Sequence, residues 1–192
     1  MDFAKTFRRV WHFLWEEDSA LSWIVNIALA FLLVKFIIYP GLGFVLGTGY
    51  PVVAVVSGSM EHDGSFDSWW YNAGSWYEDN GIDLSTFNTF PFHNGFDQGD
   101  IILLVGVKPE DIEVGDVVVY SSTAPYPIIH RVVKKEKVNN ELFFITKGDH
   151  NPGPDHEAIS EDRILGRAVF RIPVLGWVKI WFTDVVSFVR GG

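Results

Sequence analysis

Two serines flanking a glycine, Ser57-Gly58-Ser59, close an apolar, β-branched run at residues 51–56. A hydroxyl delivered at the end of a strand is a nucleophile only where a base lies within hydrogen-bond reach; without one, Ser-Gly-Ser is simply a turn. A candidate base is His130, which interrupts the β run Ile128-Ile129-His130-Arg131-Val132-Val133. Alternation places it on the face opposite Ile129 and Arg131. A neutral imidazole, with an unperturbed pKa of about 6.5, can take a hydroxyl proton near neutrality. Downstream, a turn-rich stretch from Thr146 to His156 holds two carboxylates, Asp149 and Asp155. Either could accept the imidazole N–H and fix its tautomer, or merely close backbone turns. His150 and His156 with an aspartate form a rival, metal-binding combination, but no other part of the chain adds a ligand spacing. Hydroxyl, imidazole and carboxylate together point to acyl transfer without metal or cofactor.

The chain that must position these groups has 192 residues, which suits one domain with appendages. It contains no cysteine, so disulfides, thiol catalysis and thiolate metal sites are excluded. A formal net charge of −9 argues against nucleic acid as a partner. Aromatic residues make up 16% of the chain, including eight tryptophans, a composition that favours a membrane interface.

Residues 1–20 carry Lys5, Arg8, Arg9, Trp11 and Trp15, the pattern of an amphipathic helix on a membrane surface. Residues 21–39 are nearly all apolar, with Asn26 and Lys35 as the polar exceptions, and match a transmembrane anchor. The apolar stretch is too long for a cleaved leader and lacks a clean small-residue cleavage site after it. Lys35 is expected near the far end, snorkelling to the headgroups. The basic residues before the anchor predict a cytoplasmic N-terminus and an extracytoplasmic catalytic part. Pro40, Gly41, Gly43, Gly47 and Gly49 predict a flexible connection.

Residues 40–172 are expected to form a mainly antiparallel β domain, with strands at 100–105, 117–120, 128–133, 142–146 and 164–172 and a hairpin tip at Asn139-Asn140. Within it, residues 61–98 are rich in aromatics, devoid of Lys and Arg, and show no clear helical or strand period. They read as an ordered insertion that either rests on the outer leaflet or enlarges the core. Residues 173–192 have the spacing of an interfacial or core-packed helix.

The ordered set Val56-Ser57-Gly58-Ser59-Met60, Gly99-Asp100, Gly115-Asp116, Ile129-His130-Arg131-Val132, Thr146-Lys147-Gly148-Asp149 and Gly166-Arg167-Ala168 resembles type I signal peptidase of the archaeal and endoplasmic-reticulum type. The resemblance covers roughly residues 51–177, the insertion aside. It implies a membrane-bound serine endopeptidase acting on signal peptides of secretory preproteins, associated with the protein-export machinery and the lipid bilayer. It gives Ser59 the role of nucleophile, His130 that of general base and Asp155 that of third member. Asp149 would support the site and Ser57 would donate to the oxyanion. Bacterial relatives use lysine where His130 stands. The family also places a proline two residues after the methionine, where this chain has His62, a rival base. Pro154-Asp155 replaces the family's paired aspartates, which leaves the choice between Asp149 and Asp155 open. A protease dedicated to a narrow class of surface proteins and a non-catalytic membrane-anchored module are the other readings.

Overall fold

The computed structural model describes residues 3–123 and 126–173; the expected C-terminal helix at 173–192 lies outside the described residues but for its first position. Contacts divide the chain into two compact units, one ending at Val45 and the other beginning at Leu46.

In the first unit, helix α1 (Phe3–Trp15) carries a ladder of Phe7, Trp11 and Trp15, with ring centroids 6.0 and 5.7 Å apart. Ser19 caps helix α2 (Ala20–Leu33) by accepting the Ser22 N–H. Asn26 then has a local explanation. Its amide donates to the Leu14 carbonyl at 2.8 Å, and Ser22 Oγ donates to the Phe13 carbonyl at 2.6 Å. Two of the carbonyls left over at the end of α1, those of Phe13 and Leu14, are thereby satisfied.

The expected flexible connection at Pro40 is instead helical. A π-helical turn (Val34–Ile38) leads into helix α3 (Tyr39–Leu46), and the Tyr39 N–H reaches back to the Val34 carbonyl. That wider turn carries the chain through a proline that has no N–H of its own. Ala20–Leu46 thus forms one 27-residue apolar helix, the one helix among the described residues long and apolar enough to cross a membrane. At about 1.5 Å per residue it spans roughly 40 Å, more than a hydrocarbon core of about 30 Å. Lys35 falls in its middle rather than near its end, with its ammonium against the Phe31 and Phe36 rings.

The second unit is built on one antiparallel sheet in the order β1-β2-β7-β3-β4-β5-β6. Its strands are β1 (Val52–Ala54), β2 (Ile101–Val105), β3 (Val117–Tyr120), β4 (Ile128–Val138), β5 (Glu141–Lys147), β6 (Ile159–Ser160) and β7 (Ile164–Ile172). Asn139 and Asn140, both at positive φ, make the tight turn between β4 and β5. Asparagine tolerates this left-handed backbone, which matches the twist of a hairpin. One core cluster packs Val55, Met60, Ile102, Leu104 and Val119, and a second packs Val118, Tyr120, Val132, Phe144 and Ile159.

The 61–98 segment does have helical order. Helices α4 (Phe66–Asp79) and α5 (Leu84–Phe87) are capped by Ser65 and Asp83, which accept the N–H groups of Ser68 and Thr86. Trp69, Tyr77, Ile82 and Phe87 form a third core cluster with Val133 of β4. Trp69 is 3% exposed and Tyr77 and Phe87 are fully buried, so these rings enlarge the core rather than face lipid. Tyr71 alone of the α4 aromatics points freely outward, at 88% exposure. Because the insertion covers the second face of β4, four successive residues there, His130 to Val133, are buried. A bulge at Val133 interrupts the β4–β5 register and turns that side chain into the insertion.

Candidate active site

Ser59 lies in the turn that follows β1. The Glu61 N–H donates to the Gly58 carbonyl at 3.0 Å, and the Glu61 carboxylate curls under Gly58, where any Cβ would meet it at 2.8 Å. Met60 is fully buried and anchors the turn in the first core cluster. The loop after β5 clasps the same turn: the His150 N–H donates to the Ser59 carbonyl at 2.9 Å. Gly148 is needed at this approach, since a Cβ there would lie 2.7 Å from the Ser59 carbonyl oxygen and 2.9 Å from His130 Nε2.

β4 pairs His130 with Val118 of β3 and presents the imidazole to the serine turn. His130 Nε2 is 3.1 Å from Ser59 Oγ, and His130 Nδ1 is 2.7 Å from Asp155 Oδ2. Burial of Asp155 alone would raise its pKa, but hydrogen bonds from His130, Thr146 and Tyr120, with the imidazole's charge, lower it on balance. An ionised carboxylate only accepts, so Nδ1 carries the proton and Nε2 presents its lone pair to the Ser59 hydroxyl. Ser57 Oγ lies 3.3 Å from Ser59 Oγ. The arrangement can remove a proton from Ser59 and stabilise the imidazolium that results.

Asp149 stands elsewhere. Its carboxylate is fully buried and accepts Arg131 Nε at 3.0 Å, Arg131 Nη2 at 2.7 Å, Tyr77 OH at 2.9 Å and His62 Nε2 at 3.0 Å. Burial favours its neutral form, yet the Arg131 guanidinium and these donors hold its pKa far below the usual carboxylate range. Arg131 is itself fully buried; its remaining N–H groups donate to the carbonyls of Pro91, Gly115 and Phe92. His62, the rival base, stacks on Trp69 at 3.6 Å between ring centroids and serves Asp149, not Ser59. Next to this pair, Lys147 Nζ donates to the carbonyls of Gly148 (3.1 Å) and Asp149 (3.2 Å) and lies over the Trp76 and Tyr77 rings. Burial pulls its pKa down to about 8, against the opposing charge of Asp149. His150 sits at the surface, 3.6 Å from Asp63. Among the described residues no three side chains of metal-ligating type come together.

Sequence reasoning missed Tyr120, Thr146, Arg131 and Tyr77. A signal for the first existed: a tyrosine ending an otherwise aliphatic buried strand must find a partner for its hydroxyl.

Beside the serine turn, Ala54, Val56, Ser57, Tyr126, Pro127, Ile128 and Ile129 line a groove of about 290 Å³ that opens on Ser59 and His130. β1 forms one margin of the sheet, and among the described residues no strand lies beyond it. The Val55 N–H and the Pro51 carbonyl bond toward the β2 side. By alternation, the backbone groups of Val52 and Ala54 face away from β2.

No family model matches the chain. It is similar to the signal peptidase complex catalytic subunit SEC11 of Komagataella phaffii, 30% identical over 175 residues that cover 84% of this chain and 82% of the relative. It is also similar to the sec11 catalytic subunit of Schizosaccharomyces pombe, 33% identical over 177 residues, 86% of this chain and 84% of that one. The human subunit SEC11C is 29% identical over 160 residues, 79% of this chain and 67% of its own length. This likeness, extending over most of both chains, means that the chain belongs to the SEC11 family of signal peptidase catalytic subunits, serine endopeptidases.

Proposed function

We propose that Ser59, His130 and Asp155 are the catalytic residues of a membrane-bound endopeptidase that cuts signal peptides from secretory preproteins. The observation that carries the assignment is one imidazole held between a hydroxyl at 3.1 Å and a carboxylate at 2.7 Å. In the first step Ser59 Oγ attacks the scissile carbonyl while His130 Nε2 takes its proton. The imidazolium then gives that proton to the departing amine, leaving an acyl-enzyme. Water, activated by the same imidazole, attacks the acyl carbon and releases the peptide acid. The Ser59 N–H and the Ser57 hydroxyl are the proposed oxyanion donors; losing one such donor typically costs about 3 kcal/mol of barrier. The substrate binds extended, as an added strand beside β1, with small side chains in the groove next to Ser59. The meeting of the three groups speaks against a non-catalytic binding module.

The long apolar helix supports membrane attachment. Lys5, Arg8 and Arg9 ahead of it favour a cytoplasmic N-terminus, with the catalytic unit on the extracytoplasmic side of a single-pass protein. The subunit names of the relatives favour association with the secretory machinery.

The test is incubation of the purified full chain with a model preprotein, with the new N-terminus read by mass spectrometry. Ser59→Ala and His130→Ala should each lower turnover by about 10⁴-fold or more while the melting temperature stays near that of the parent. Unchanged turnover in either variant overturns the assignment.

A further inference from the structure

Three donors converge on a single oxygen of Asp155. His130 Nδ1 is 2.7 Å from Oδ2, Tyr120 OH is 2.8 Å away and Thr146 Oγ1 is 2.5 Å away. The two hydroxyls come from the strands on either side of the one that bears the base. Tyr120 ends β3 and Thr146 lies on β5, while His130 stands between them on β4. Tyr120 is 1% exposed and Thr146 fully buried, so neither hydroxyl has water as an alternative partner. The Asp155 N–H donates to the Thr146 carbonyl at 2.8 Å, which holds the carboxylate over the strand.

We infer that Tyr120 and Thr146 are positioning residues that set how strongly Asp155 attracts the proton of His130, and therefore the pH above which the enzyme works. The inference rests on the assignment of His130 as base and Asp155 as its partner. A hydroxyl that donates to a carboxylate draws off part of its negative charge. With two hydroxyls on the oxygen it shares with His130, Asp155 stabilises the imidazolium less than a bare carboxylate would. Removing either hydroxyl restores that charge to the Asp155 oxygen facing the imidazole, so His130 holds its second proton to a higher pH and the acidic limb of the rate profile moves up.

The other charges around the pair are the same in every variant. Arg163 acts on Tyr120 and Lys147 acts on Asp155, while Asp149 is paired with Arg131. The Tyr120 ring meets His130 edge-on, with centroids 6.4 Å apart, a contact that phenylalanine keeps.

The experiment is a titration of the His130 ring nitrogens by NMR in the full chain in detergent micelles, with His130→Gln identifying the resonances. Tyr120→Phe and Thr146→Val should each raise the midpoint by about 0.5 to 1 pH unit, the size of one hydrogen bond. The acidic limb of kcat/KM should move with it. Thr146→Ser keeps the hydroxyl and should restore the parent midpoint. A midpoint unchanged or lowered in a folded Tyr120→Phe protein overturns the inference, and that variant decides alone if Thr146→Val does not fold. Because the titration needs no turnover, its failure is distinct from failure of the functional assignment, which Ser59→Ala tests.

Discussion

The two aspartates of the loop after β5 should separate cleanly on substitution. Asp155→Asn keeps the shape of the side chain but puts a neutral amide in place of the charge that stabilises the His130 imidazolium, so kcat should fall about 10⁴-fold with little change in melting temperature. Asp149→Asn leaves the Arg131 guanidinium buried beside a neutral amide. Breaking such a pair typically costs about 3–5 kcal/mol, so thermal melting should show a large loss of stability. The folded pKa of Asp149 lies below its unfolded value of about 3.9. Its contribution is therefore complete above that pH and is lost as the pH falls through the folded value, and the Asn variant should lack that part of the acid transition. Lys147 works in the opposite pH range. The folded chain releases its proton near pH 8, whereas the unfolded chain keeps it to about 10.4. Between those values the unfolded state binds more protons, so stability rises with pH; denaturant melts at pH 8 and 10 should show the rise, and Lys147→Met should flatten it.

At the scale of elements, the insertion is a buttress for the second face of β4. Tyr77→Phe should cost about 1–3 kcal/mol by leaving Asp149 short of a donor, and Trp69→Ala about 3–5 kcal/mol by opening a cavity. Both should slow cleavage of a soluble peptide and of a bilayer-embedded preprotein alike; selective loss on the embedded substrate would mean that α4 acts at the lipid surface instead. How far these elements were legible in the sequence varies with the physics that fixes them. Ser59 and His130 stood out because each breaks a β-branched run, a local signal. Asp149 and Asp155 could not be told apart, because the β4–β5 register and its bulge decide which carboxylate meets the imidazole. The pairing of His62 with Asp149 depends likewise on residues 87 positions apart. Helix α4 was hidden by a dense run of aromatics that includes the outward-facing Tyr71, yet its buried residues Trp69 and Tyr77 are eight apart, and Ser65 and Asp83 were N-cap signals within sight. Pro40 and the glycines read as a break because a proline rule made for regular α-helix does not anticipate a π-helical turn.

For the molecule as a whole, the proposed orientation can be checked in sealed vesicles. A tag ahead of residue 3 should resist external protease, while the second unit, on the outer side, should be reached by it; digestion of the tag would reverse the assignment. The open margin of β1 has a further consequence, for which substrate chains can be tolerated at all. Val52 and Ala54 turn backbone donors and acceptors outward, and a partner strand answers them with every second residue of its own. Selection at that margin concerns the main chain, not the side chains. A proline placed along the peptide should therefore be punished in alternation. Where its missing N–H would have faced β1, kcat/KM should drop by about tenfold for one lost bond, and at the positions between it should be tolerated wherever its fixed φ suits an extended chain. A walk of single prolines through the residues before the cut would thus print the register of the bound strand as a period of two, without a structure of the complex.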